Sequence, residues 1–282
     1  MSKLPKIVVG VVCLFAFLLF ALWFTRAHIL DWELPNHEIS TWVQKNDIKK
    51  VLAVLTHQDD ELLMVGTLAG LVDAGVEVRL LTVTDGDGES RVLGQSVQDL
   101  IKERAAELNA VGQLLGVASV DQGYFSDLGF GEVAQADFDS LVLSKIEQYQ
   151  PDTLLTWDTE KGLYGHKDHV RVARLLLDLC KRQEDDAQFS VNAVYSSTVS
   201  VWWRALLKNI SPIYHQRYYA ISNAESIEPE FSLSTRALAG ERRAAFALYA
   251  KRGIVSGLNP FSGLPDFVGD AAFDREYFYK SF

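Results

Sequence analysis

Short apolar runs alternate with helical patterns along most of this chain, and that alternation constrains the fold more than any other feature. Lys50 to Thr56 reads as a strand, Glu61 to Ala74 as a helix closed by Gly75, and Val76 to Thr84 as a second strand. A helix from Ser96 to Leu115 ends at Gly116, and a short strand follows over Ser119 to Tyr124. Next come a helix over Phe138 to Tyr149, the strand Thr153 to Trp157, a helix over His169 to Arg182 and a strand over Val191 to Ser197. Strands separated by helices of this length imply a mainly parallel, Rossmann-like α/β sheet with helices on both faces, joined by right-handed crossovers. No Gly-x-Gly-x-x-Gly follows the first strand, which argues against a dinucleotide-binding version.

Two histidine–carboxylate clusters fall just after such strands: His57-Gln58-Asp59-Asp60-Glu61 and, about a hundred residues on, His166-Lys167-Asp168-His169. Open α/β sheets form their binding crevice at the carboxyl ends of the strands, so both clusters face the same side of the fold. A catalytic zinc ion takes three His or Asp/Glu ligands and keeps one position open, and the two clusters exceed that requirement. The surplus suits a metal hydrolase, which also needs a base and a donor for developing negative charge. Either cluster alone reads as readily as hydrogen-bonded structure, and acids at 59, 60 and 61 suit the start of a helix by its dipole. Capping does not account for the preceding histidine.

The net charge of −10 excludes a basic nucleic-acid-binding face. With 282 residues, 48% of them hydrophobic, one α/β domain over 49–282 is expected. Cys13 and Cys180 stand in unrelated segments, so no disulfide is expected to staple the fold. From Ile7 to Phe24 no residue is charged, a run that as a helix reaches ~27 Å. Residues 1–26 are therefore expected to be a membrane anchor and 27–48 a juxtamembrane segment. Lys3 and Lys6 favour a cytoplasmic N-terminus, with the catalytic domain of a single-pass protein on the other side.

The two clusters, with the flanking Thr56 and Tyr164-Gly165, resemble those of the PIG-L/LmbE-type zinc-dependent de-N-acetylases. Weaker agreement lies in Thr84-Asp85-Gly86, in Arg104 and Glu107 before Leu115-Gly116-Val117, and in Pro151-Asp152. The resemblance covers roughly residues 50 to 180; Gln58 departs from it, standing where the family usually has proline.

That family acts largely on glycolipids and glycosides containing N-acetylglucosamine, and the resemblance implies hydrolysis of an N-acetyl group from such a substrate. It implies His57, Asp60 and His169 as ligands of zinc, with iron(II) an open alternative, and Asp59 as general base. His166, supported by Asp168, would stabilise the tetrahedral intermediate or protonate the leaving amine, with Tyr164 a second donor. Asp85 is a candidate for a sugar hydroxyl, and Arg104 for a substrate clamp or a partner of Glu103 or Glu107 on its own helix. Hydrolysis of another amide, a transferase on the same scaffold, and a catalytically silent glycan-binding protein are the alternatives.

Overall fold

The structure is a computed structural model. It describes residues 31–89, 96–210, 225–249 and 265–282, together with Gly10, Leu14, Phe15, Phe17, residues 214–216 and Tyr218. Strand β2 (Lys50–Leu55) lies near the middle of the sheet, and its side chains divide by parity as pleating requires. Val51, Ala53 and Leu55 enter one apolar cluster, while Leu52 and Val54 enter another on the opposite face. A strand buried on both faces reads as a continuous apolar run, and this is why the segment is so legible.

The chain then passes through α2 (Val65–Asp73), β3 (Glu77–Thr84), α3 (Val97–Leu115), β4 (Ser119–Phe125), α4 (Gln135–Tyr149), β5 (Thr153–Trp157), α5 (Lys167–Gln183) and β6 (Ala193–Thr198). Upstream stand β1 (Asn36–Glu38) and α1 (Ile39–Asn46); downstream stand α6 (Val201–Ile210), β7 (Phe231–Ser234), α7 (Ala239–Leu248), α8 (Asp266–Ala272) and β8 (Arg275–Lys280). Eight strands form one sheet in the order β1-β7-β8-β6-β5-β2-β3-β4. All neighbours pair in parallel except β8, which runs antiparallel between β6 and β7. From β2 the chain builds outward through β3 to β4, then returns to lay β5 on the other side of β2. The order therefore reverses between β2 and β5, and the crevice of an open sheet forms at that switch, outside the carboxyl ends of both strands.

Residues 36–46, within the segment read from sequence as juxtamembrane, join the sheet. Strand β1 pairs with β7, and Trp42 of α1 packs its ring 4.8 Å from Tyr195 and 5.6 Å from Phe231. Trp202 and Trp203 are buried, and Trp203 stacks on Phe273 at 5.4 Å.

The expected N-terminal transmembrane helix, and the single-pass membrane location drawn from it, are corrected. Among the described residues no helix is long and apolar enough to cross a membrane. Spanning requires about twenty apolar residues in unbroken helix. The longest described helix, α3, carries Asp99, Lys102, Glu103, Arg104 and Glu107 and packs as a surface helix of the sheet. Residues 7–24 themselves lie, except for Gly10, Leu14, Phe15 and Phe17, outside the described residues.

Candidate metal centre

The loop leaving β2 turns sharply at Asp59, whose φ of 96° is in the left-handed region that a side chain disfavours. A single 3₁₀ stretch, Asp60–Met64, follows before α2 begins, so the expected helix start at Glu61 is tighter than an α-helix. The turn directs the Asp60 carboxylate back onto the strand end. Its Oδ2 accepts the Thr56 and His57 amides at 3.1 and 2.7 Å, which leaves Oδ1 facing His169 Nε2 at 3.0 Å.

His169 comes from the second loop, and its orientation is set at three points. The Nδ1 atom is 3.0 Å from the Gly162 carbonyl, which can only accept, so Nδ1 carries a proton and Nε2 is the atom turned toward Asp60. Trp157 stacks on one face of the ring at 4.7 Å and 14°. At Gly162, φ is +53° and a Cβ would stand 2.4 Å from His169 Cβ, so the close approach requires glycine. Asp158, buried at the end of β5, builds the loop: its carboxylate accepts the amides of Glu160, Lys161 and Leu163 at 3.1, 2.8 and 2.7 Å. Three such bonds hold Leu163 at a φ of 73°.

The two loops meet. His57 lies with its Nδ1 3.6 Å from Asp60 and its Nε2 3.7 Å from Asp168, and the Asp168 carboxylate stands 3.8 Å from His166 Nδ1. The ring centroids of His57 and His166, and of His166 and His169, are 4.8 Å apart, and ligand nitrogens of all three histidines fall within 4.8 Å of one another. Tyr164 packs edge-on to His169 at 5.1 Å. His166 caps α5, its Nδ1 accepting the Asp168 amide at 3.3 Å.

Arg104 on α3 is buried, pairing with Asp59 at 3.2 Å and with Glu107 at 3.7 Å and donating to the Gln58 carbonyl. Gln58, in the place of a family proline, spans to β3 and donates to the Thr84 carbonyl at 2.9 Å. Asp85 belongs to a separate acidic group with Asp87 and Asp127, where its Oδ1 accepts the Asp87 amide at 3.2 Å.

The electrostatics favour a cation. Burial disfavours a charged His57, yet Asp168 and Asp60 beside it lift its pKa to about 10. Burial acts against an ionised Asp60 too, but His169 and His57 hold it well below the ordinary carboxylate range. Asp59 is pushed up to about 6 by burial, against the pull of Arg104. The residues also fit a metal at one atom in particular: His169 Nε2 is fully buried and has no hydrogen-bond partner, although a carboxylate oxygen lies 3.0 Å away. With Nδ1 already turned to the Gly162 carbonyl, the Nε2–Asp60 contact is favourable only with a cation, a proton or a metal, between the two atoms. A neutral imidazole whose other nitrogen is anchored on a carbonyl is the usual metal-ligating arrangement.

Fold and site together are an α/β domain with three histidines gathered at the sheet's switch point. Residues 52–180 match the family described as PIG-L, GlcNAc-PI de-N-acetylase. Among curated relatives, the 1D-myo-inositol 2-acetamido-2-deoxy-α-D-glucopyranoside deacetylase of Nakamurella multipartita is 37% identical over 158 residues, 45% of this chain and 53% of that one. The chain thus spans about half the length of such relatives. Two solved structures share the fold. The N,N'-diacetylchitobiose deacetylase of Pyrococcus horikoshii has a TM-score of 0.58 at 20% identity, covering 84% of this chain and 85% of its own. The 4-carboxy-2-hydroxymuconate hydratase of Pseudomonas putida also has a TM-score of 0.58, at 16% identity, over 83% and 97%.

Every candidate site residue drawn from the sequence except Asp85 lies in this one constellation or, like Arg104, against it. Sequence reasoning missed Asp158, Trp157 and Tyr249 as its supports. The first two directly follow or end an apolar strand, a position that could have marked them; nothing local marks Tyr249.

Proposed function

We propose that this protein is a metal-dependent hydrolase that removes the N-acetyl group from a glycoside or glycan containing N-acetylglucosamine. The observation that carries the reading is the convergence of His57, Asp60 and His169 from two loops, with Asp59 next in the chain to Asp60. His57, Asp60 and His169 would hold the ion, and zinc, with iron(II) second, suits a set of two imidazoles and one carboxylate. A bound divalent ion supplies Lewis-acid polarisation of an acetamide carbonyl and a lowered pKa for water.

The protein's own groups handle the protons. Asp59, with a pKa near 6, accepts a proton from the attacking water at neutral pH, and the Arg104 guanidinium beside it fixes the carboxylate. His166 accepts the Asp168 amide at Nδ1, so a neutral ring carries its proton on Nε2. That proton is available to the carbonyl oxygen as charge develops, or to the nitrogen as the C–N bond breaks, giving acetate and a free amine. Tyr164, packed against His169, would supply a second hydroxyl donor. The names of the relatives, which specify deacetylation of amino-sugar compounds, support this reading.

The test is acetate release from a panel of N-acetylglucosamine glycosides by zinc-loaded protein. The expected outcome is turnover by the parent and a loss of at least about a hundredfold in Asp59→Ala at unchanged metal content. A metal-loaded parent that turns over none of the panel would sink the proposal.

A further inference from the structure

Tyr249 closes α7, outside the segment that matches the family, and is fully buried. Its hydroxyl donates to Glu61 Oε1 at 2.7 Å, and Glu61 Oε2 accepts the Asp59 amide at 3.0 Å. The Arg104 guanidinium, which grips the Asp59 carboxylate, lies over the same tyrosine ring at 5.6 Å from its centroid. Asp59 is thus held from both ends by groups that touch Tyr249: its amide through Glu61 and its carboxylate through Arg104. Such bracing has a physical purpose, because a φ of 96° at a non-glycine residue is strained and persists only when the surroundings over-determine it.

We infer that Tyr249 is a positioning residue for Asp59, acting through Glu61 to hold the strained turn in which the carboxylate stands beside Asp60. The inference rests on the proposed role of Asp59 as base, and it assigns part of the active site to α7. Glu61 is fully buried with a protein partner on each carboxylate oxygen, so it is occupied as a strut. The Tyr249–Glu61 hydrogen bond alone crosses 188 residues of sequence.

The test compares the parent, Tyr249→Phe, Glu61→Gln and the double variant, each as the full chain loaded with zinc. Tyr249→Phe removes one hydroxyl. Glu61→Gln leaves one acceptor where two are needed, so it carries the test from the other end should Tyr249→Phe not fold. For Tyr249→Phe we expect kcat to fall roughly tenfold with KM within about twofold of the parent. The double variant should be no worse than Glu61→Gln alone, because both changes cut one strut. Independently of activity, hydrogen–deuterium exchange across residues 56–64 should quicken in both single variants and stay unchanged in β5. Parent-like kcat and exchange in Tyr249→Phe would overturn the inference, as would losses that multiply in the double variant. A parent without acetate release would count against the proposed function, and the exchange result would still decide the role of Tyr249.

Discussion

At the scale of single residues, the site is a negatively biased cluster that favours a cation, and binding of a metal there would be coupled to protons. His57, with a pKa of about 10 because Asp168 and Asp60 outweigh its burial, holds a proton at neutral pH when no metal is bound. A metal taking that ring must displace the proton. Zinc affinity should therefore rise about tenfold per pH unit across the neutral range and level off as pH approaches 10, with about one proton released on binding. Calorimetry in buffers of different ionisation enthalpy reads that proton directly, and a pH-independent affinity would contradict it. The same shift sets the stability of the metal-free protein. A group whose pKa rises on folding stabilises fully below its unfolded value and ceases to do so as pH climbs through its folded one. For His57 that window runs from 6.5 to about 10, and for Glu61, pushed up by burial, from 4.5 to about 8. Both act in one direction, so thermal melting in chelator should show a less stable fold at pH 9 than at pH 6.

At the scale of elements, the loop between β5 and α5 depends on Asp158. Changing it to Asn keeps the shape but leaves one acceptor for three amides, freeing Leu163 from its strained conformation. Metal affinity, measured by chelator competition, should fall about 10- to 100-fold, the range typical of lost support around a ligand. A variant with parent-like affinity would show that Trp157 stacking and the glycine suffice to orient His169. The same loop shows what the sequence makes legible. The clusters at 57–61 and 166–169 stand out because ligands for one ion come in tight local spacings next to strand ends. Asp158 is a lone acid after a strand, like many turn residues, and its role exists only through amides that fold back on it. Strands β2 to β6 are legible from their apolar runs. The 3₁₀ turn at Asp60–Met64 is not, because its cause is the hydrogen bonding of Asp60 and Glu61 with backbone amides. The apolar stretch at 7–24 satisfied the length rule for a spanning helix, which weighs hydropathy alone.

At the scale of the whole molecule, β8 holds the sheet together. It pairs antiparallel with β6 on one side and β7 on the other, and thereby joins β7 and β1 to the remaining strands. Its Glu276 accepts the amides of Gly66 and Thr67 at 3.0 and 2.9 Å, tying the first turn of α2 to the same strand. The sequence hid this strand because Phe273 to Phe282 alternates imperfectly and finds its neighbours only across long stretches of chain. Phe278, 1% exposed, is its central core residue. Phe278→Ala should cost about 3–5 kcal/mol, about ten degrees in melting temperature for a domain of this size, while metal binding by the folded protein stays at the parent value. Loss of metal binding without loss of stability would place β8 in the site and not in the frame.

Strand β8 is also the last described strand to be synthesised, yet it stands third in the sheet, between two strands made before it. A chain emerging from the ribosome can pair β2 with β3, β4, β5 and β6, and bring both histidine clusters together, while a gap remains open beside β6. Until residue 280 has emerged, that edge of β6 offers unpaired backbone groups to any neighbouring chain. The interval between completing the half that carries the histidine clusters and filling that gap is when this protein is most exposed to aggregation, and when a chaperone has most to protect.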